Sequence, residues 1–291
     1  MAAVAACLGL ASVTPIGQVY QSATDVVAVT VTVRDGEGHL VEDLPRDAFK
    51  LYEDGRLQPI TQFTNDRLPV SFGILLDVSD SMFGQRIQES RDGIEQFILN
   101  RLDADDEFAI LGFNHQHRVL TAWTTDRAAA GRVLGPVVPT GSTAIYDALM
   151  AALPLVARRT RQRAAIVLIS DGADTASDRT IRDVHTALIG SEAFVYAIAI
   201  DPLGTRPLNT RVNVTALGEI TGQTGGRTLV VRSTSEMLAA LTEIADELDH
   251  QYLLGYMAPN PVDGVFHGIR VLAGSDYRVR ARSGYIVVRR R

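Results

Sequence analysis

The chain is poor in the residues that announce several common chemistries. Cys7 is its only cysteine, so no intrachain disulfide and no cysteine-built zinc site is available. Lys50 is its only lysine, and the net charge is -6. A chain of that sign lacks the basic face with which a general nucleic-acid binder neutralises phosphates. No apolar run is long enough for a transmembrane helix in the mature chain. Phosphate-loop and nucleophile-elbow patterns are missing, and no G-x-G-x-x-G follows a strand. A phosphotransfer aspartate at Asp77 would want a second carboxylate two positions on, where Ser79 stands. A hydrolase built on Ser79 or Ser81 would need a histidine base, and none is near in sequence. The expectation is a protein that is not an enzyme.

What is present is a large apolar fraction, 46% of 291 residues, enough for a substantial core. The first eighteen residues, MAAVAACLGLASVTPIGQ, are small, apolar and uncharged. They resemble the back half of a secretory signal without its positive start. Val4-Ala5-Ala6-Cys7 resembles a lipoprotein processing box, although few apolar residues precede it. The expectation is a secreted or cell-envelope protein. It would touch membrane only if lipidated at the N-terminus.

Two textures alternate along the rest. Residues 25–66 read as strands and turns: VVAVTVTVRD has the period of two of a half-buried strand. Asp35-Gly36-Glu37-Gly38 and Glu53-Asp54-Gly55 are turn signals, the second at the tip of a hairpin. Residues 67–250 alternate strands and helices. SFGILLDV, FAILGF, AAIVLIS and AFVYAIAI are continuous apolar runs, as expected of strands covered on both faces. VLTAW is expected to pair with FAILGF as a hairpin. Helices are expected over 84–102, 144–156 with Pro154 as the weak spot, 181–189, 213–221 and 233–248. RTLVV reads as a short strand, and Ser233 with Glu236 fits a capping box. Three strands follow in 251–291: QYLLGYMA, FHGIRVLA and YRVRARSGYIVV. Strands separated by helices imply a doubly wound, mostly parallel α/β sheet. The terminal segments 25–66 and 251–291 are each too small to stand alone, so they are expected to pair into a flanking β domain. Residues 1–24 remain an apolar N-terminus.

The polar clusters fall at the carboxyl ends of the expected strands, where open α/β sheets bind ligands. LLDVSDSM ends a buried strand with Asp77, Ser79 and Ser81 at every second position. That is either an ordinary exit from a strand or the floor of a metal site. Pro139-Thr140-Gly141-Ser142-Thr143 enters a helix, and Ser170-Asp171-Gly172-Ala173-Asp174 leaves the third strand. If the three loops converge, two carboxylates and three hydroxyls meet. Such hard oxygens suit Mg²⁺ or Mn²⁺. Asp147, on the helix after Thr143, reads as a supporting carboxylate, and Asp80 and Asp174 as solvent-facing neighbours. His115 and His117 lie in a hairpin turn with no third ligand, which argues against zinc.

Asp77-Val78-Ser79-Asp80-Ser81 resembles the D-x-S-x-S motif of the von Willebrand factor type A (vWA) fold. Gly141-Ser142-Thr143, followed by Ile145-Tyr146-Asp147-Ala148-Leu149, resembles that family's threonine loop, and Ser170-Asp171-Gly172 its third motif. All three stand in the family's order and none departs from it. The resemblance implies a metal-ion-dependent adhesion site. Ser79 and Ser81 would bind the ion directly, Thr143 in the ligand-bound state, and Asp77 and Asp171 partly through waters. The open coordination position would take an Asp or Glu carboxylate from a protein partner. The flanking segments, with DELDHQYLLGYMAPN at the domain's exit, resemble a bacterial, Acidobacteria-type group of vWA-related proteins. The implied function is a divalent-metal-dependent protein-binding or adhesion module. The alternatives are a cytoplasmic vWA scaffold subunit of an ATP-driven, metal-chelatase-like complex, and a structural protein with a vacant rim.

Overall fold

A computed structural model of the chain describes residues 26–200, 213–258 and 264–286. The expectations for the N-terminal segment and Cys7 lie outside the described residues.

The chain opens with β1 (Val26–Arg34), β2 (Phe49–Glu53), β3 (Arg56–Gln58) and β4 (Gln62–Thr64). The α/β unit then runs β5 (Val70–Asp77), α1 (Gln85–Asn100), β6 (Glu107–Phe113), β7 (His117–Thr124), α2 (Ala129–Leu134), α3 (Ile145–Val156) and β8 (Arg163–Ser170). It continues with α4 (Ile181–Ile189), β9 (Phe194–Ile200), α5 (Val214–Thr224), β10 (Thr228–Val231) and α6 (Thr234–Asp249). Four strands follow: β11 (Tyr252–Met257), β12 (Phe266–Ala273), β13 (Arg278–Ala281) and β14 (Gly284–Ile286).

The central sheet has six strands in the order β10-β9-β8-β5-β6-β7. All neighbours are parallel except β6 and β7, which form an antiparallel hairpin. β5, β6, β8 and β9 are buried along their whole length. That burial explains why they read as unbroken apolar runs. Alternate residues of each strand feed two separate cores. Phe72, Ile74 and Leu76 pack with α1, α2 and α6 on one face. Leu75, Ile166 and Leu168 pack with α3, α4 and α5 on the other.

The N- and C-terminal segments pair with each other. β1 lies between β11 and β13, and β4 extends β11, in one four-stranded sheet. β12 lies between β2 and β14, with β3 beyond β2, in another. Val29, Val31, Leu51, Tyr252, Leu254 and Val271 form the core between the two. Neither segment can satisfy its strand edges or bury its apolar face without the other.

The structure departs from the sequence reading in several places. The last expected strand is two, β13 and β14, which belong to different sheets. α2 was not expected; six residues give too short a period to read. α5 runs to Thr224, three residues past its expected end, and stops at Gly225, whose φ is 89°. Ser233 accepts from Glu236 N at 3.2 Å, but the Glu236 carboxylate turns to Arg232 N at 2.8 Å. That cap is therefore not reciprocal. A full capping box does occur at Thr180 and Asp183, which start α4. α3 passes through Pro154 to Val156, because a proline in the last turn forfeits little helix beyond it.

Candidate metal centre

The chain leaves β5 for β6 on one side and later returns to β8 on the other side of β5. The crevice at the carboxyl ends of β5 and β8 is thus the switch point of the sheet, where such folds bind ligands. Leu76 pairs with Ile169, so Asp77 and Ser170 emerge side by side. Ser170 Oγ donates to Asp77 Oδ2 at 2.5 Å, and Ser79 N donates to Asp77 Oδ1 at 2.8 Å. The chain then folds into a short 3-10 turn over Asp80–Met82, with Met82 N on Ser79 O at 3.0 Å. Met82 is driven into the core, Asp80 faces solvent, and Gly84, at φ 82°, takes the backbone into α1.

This turn brings Ser79 Oγ within 3.0 Å of Ser81 Oγ, and Ser81 Oγ donates to Asp171 Oδ1 at 2.6 Å. Arg86, in the first turn of α1, donates from Nη1 to Ser81 O at 2.6 Å. Its Nε lies 3.3 Å from Asp171 Oδ2. The sequence reading missed Arg86. The available signal was its place: an arginine in a first helical turn opposes the helix dipole and needs another partner.

Thr143 arrives on a loop pinned from three sides. Thr140 N donates to Val78 O and Asp80 N to Gly141 O, both at 2.8 Å. Ala144 N donates to Asn114 O at 2.9 Å, and Thr143 O accepts from Thr175 N and Ala176 N. Gly141 sits at φ 77°, and a Cβ there would lie 2.4 Å from His115 Nδ1, so the loop admits no side chain at that point. A Cβ on Gly172 would lie 3.4 Å from Thr143 Oγ1 and 3.7 Å from Ser81 Oγ. Both hydroxyls therefore border the same space beside Gly172.

The structure thus brings together Asp77, Ser79, Ser81, Thr143 and Asp171. All are buried except Ser81, which is half-buried. Burial pushes the Asp77 carboxyl up to about 6, against the hydrogen bonds from Ser170 and Ser79; the Asp171 charge adds to the rise. A cation beside it would act in the opposite sense. The donor set fits Mg²⁺ or Mn²⁺: all five of its side chains offer hard oxygens, and two are carboxylates already held in place, Asp171 with the Arg86 guanidinium on its outer oxygen.

Other singled-out residues have different work. Asp147 accepts from Asp178 N at 2.9 Å and Arg179 N at 3.0 Å, which fixes the loop before α4. Asp174 is not a solvent-facing neighbour. It accepts from Tyr146 N at 3.1 Å and Ser177 Oγ at 2.6 Å, satisfying the start of α3. His115 and His117 flank the β6–β7 turn, both exposed. Asp35, Glu37 and His39 cluster on an exposed turn, where Asp35 Oδ1 accepts from Glu37 N and His39 N. A cavity of about 510 Å³ opens at the opposite end of the central sheet, beside Arg163, Phe194 and Tyr285. None of the five rim residues lines it.

Residues 72–173 match the family model for the von Willebrand factor type A domain. The chain is 29% identical to mouse inter-alpha-trypsin inhibitor heavy chain H2 over 132 residues, 41% of this chain and 14% of that protein. It is 24% identical to an uncharacterised protein of Synechocystis over 201 residues, 66% of this chain and 46% of that one. The chain therefore spans less than half the length of these relatives. Among solved structures, a von Willebrand factor type A protein from Catenulispora acidiphila superposes with a TM-score of 0.54 at 13% identity. That match covers 92% of this chain and 76% of the other. The conserved hypothetical protein BatB from Bacteroides thetaiotaomicron gives 0.50 at 22% identity, over 61% and 98%. At such identities the likeness is one of fold.

Proposed function

We propose that this chain, whose residues 72–173 match the von Willebrand factor type A domain, is a divalent-metal-dependent protein-binding module and not an enzyme. The observation that carries this is the hydroxyl chain from Ser79 through Ser81 to Asp171, with Thr143 Oγ1 bordering the same space beside Gly172. Asp77, Ser79, Ser81, Thr143 and Asp171 would hold Mg²⁺ or Mn²⁺. The ion, when bound, supplies a Lewis-acidic position for an outside oxygen. The chain's own residues do the rest. Ser170 and the Ser79 backbone keep Asp77 in one orientation. Arg86 holds the Ser81 carbonyl, and its guanidinium flanks Asp171. Donors so fixed pay little ordering cost on binding. With only two carboxylates in the set, the ion keeps an appetite for a third, offered by an Asp or Glu of a protein partner. A secreted or envelope location suits such a module; inter-alpha-trypsin inhibitor heavy chain H2, a partial relative, supports the protein-binding reading.

The test is calorimetric. Titrating Mg²⁺ and then Mn²⁺ into the purified chain should give one site, lost in Asp77→Asn and Ser79→Ala. Equal metal binding by wild type and both variants would sink the assignment. Linkage adds a second reading. A carboxylate partner must tighten the metal by the factor with which the metal tightens the partner.

A further inference from the structure

Two large apolar side chains stand almost bare on the segments that lead from Ser81 and into Thr143. Phe83 is 72% exposed and Val138 is 66% exposed. Single exposed apolar residues are common and ordinarily mean nothing. These two differ in where they stand and how firmly they are held. Phe83 is two residues from Ser81. Its N–H donates to Asp80 O at 3.2 Å, closing the 3-10 turn, and the buried Met82 anchors the turn from below. Gly84 follows at a φ of 82°, which an L side chain rarely adopts, and takes the chain from this turn into α1. Val138 is two residues before Thr140, whose N–H is fixed on Val78 O. Arg91 of α1 donates to the carbonyl of Val137, tying that segment to the helix that follows Phe83. Both side chains thus ride on pinned backbone of the loops that deliver Ser81 and Thr143. Aromatic side chains presented on a fixed backbone are enriched where proteins bind one another.

We infer that Phe83, assisted by Val138, is the specificity-determining contact of the site, reading an apolar side chain adjacent to the partner's carboxylate. The inference rests on the metal-dependent reading above and deepens it: the partner is a protein segment in which an Asp or Glu is flanked by an apolar residue. Water leaves Phe83 only when such a neighbour covers it. The gain is about tenfold in affinity over a glycine-flanked acid, the yield of burying part of one large apolar side chain.

The experiment uses phage-displayed heptapeptides with a fixed central Asp, selected on the whole immobilised chain in Mg²⁺ and eluted with EDTA. Sequencing should find apolar residues enriched next to the Asp on the wild type. The enrichment should vanish on Phe83→Ser, with Mg²⁺ affinity and Tm unchanged. A control, Leu57→Ser, removes an equally bare side chain (62% exposed) in the hairpin of β2 and β3 and should leave the enrichment intact. EDTA-released peptides without apolar enrichment would overturn the inference alone, and so would enrichment that persists on Phe83→Ser or falls equally on Leu57→Ser. If EDTA releases nothing, the metal-dependent reading itself fails and takes this inference with it.

Discussion

Glu247 offers the sharpest test of how the α/β unit is joined to its flanking sheets. Its side chain, on α6, is fully buried. Oε1 accepts from Tyr196 Oη at 2.8 Å and Thr32 Oγ1 at 3.4 Å. Oε2 accepts from Arg34 Nη2 and Arg227 Nε, each at 3.1 Å, and Arg280 Nη2 lies against it. Arg34 and Arg280 belong to the flanking strands β1 and β13, so one carboxylate holds both units. Glu247→Gln keeps the shape and removes the charge. Breaking a fully buried pair costs about 3–5 kcal/mol. Here the loss is smaller, because the three guanidiniums are 19%, 25% and 26% exposed and can recover some hydration. Glu243 also stands within 3.3 Å of Arg34 and 2.6 Å of Arg227. The expected cost is about 2–3 kcal/mol, well above the roughly 0–1 kcal/mol of a surface pair. For a chain of this size that is a fall in Tm of about 4–10 °C.

The pH dependence carries a sign. Burial alone would raise the Glu247 pKa, but the Arg280 and Arg227 guanidiniums and the Tyr196 hydroxyl hold it below the usual 4.5. A carboxyl with a depressed folded pKa stabilises fully above its unfolded value and loses that contribution as pH falls through the folded one. The gap between wild type and Glu247→Gln should therefore be flat from about pH 8 to 6 and close below about 4.5. Urea melts followed by circular dichroism and by the fluorescence of Trp123, the only tryptophan, would measure it. A variant within about 0.5 kcal/mol of wild type at pH 7, or a gap that widens in acid, would refute the reasoning.

The site and the core give further outcomes. Gly172→Ala puts a methyl at ordinary contact distance, 3.4 Å from Thr143 Oγ1. The fold should survive with a change of stability under about 1 kcal/mol, while calorimetry should find Mg²⁺ affinity down at least about tenfold as the methyl fills the space between the hydroxyls. Ser170→Ala removes the donor to Asp77 Oδ2 and the acceptor of Gly172 N. It should cost about 1–3 kcal/mol in urea unfolding and weaken Mg²⁺ as well. Gly226→Ala would set a Cβ 2.1 Å from Val195 O, a backbone atom that cannot swing aside. Its melting curve should show at least about 1–3 kcal/mol of destabilisation with metal binding untouched.

Much of the fold is written in local pattern. The helix expected over 181–189 is α4 at those bounds, and AAIVLIS lies wholly within β8. Each rests on a period or a cap that a dozen residues specify. The meeting of oxygen-bearing side chains at one rim was legible in the same way, since a strand end, a helix entry and a second strand end each carried a short motif. What neighbours do with those residues was not legible. Asp174 and Asp80 look alike in sequence, yet one satisfies the first turn of α3 and the other faces solvent. Arg86 gives no motif, and its use appears only once α1 is laid beside Asp171.

By itself, then, the sequence determined the alternation of strands and helices, the doubly wound sheet and the three oxygen-bearing loops. Each is a matter of residues a few positions apart. Tertiary structure alone decided that YRVRARSGYI divides between two sheets, and that Glu247 gathers arginines from three separate strands and loops. It alone also decided that Phe83 stands bare beside Ser81 while Met82 is sealed in the core. Those outcomes depend on which distant surface arrives to bury a group or to pair its charge, and no local period records that choice.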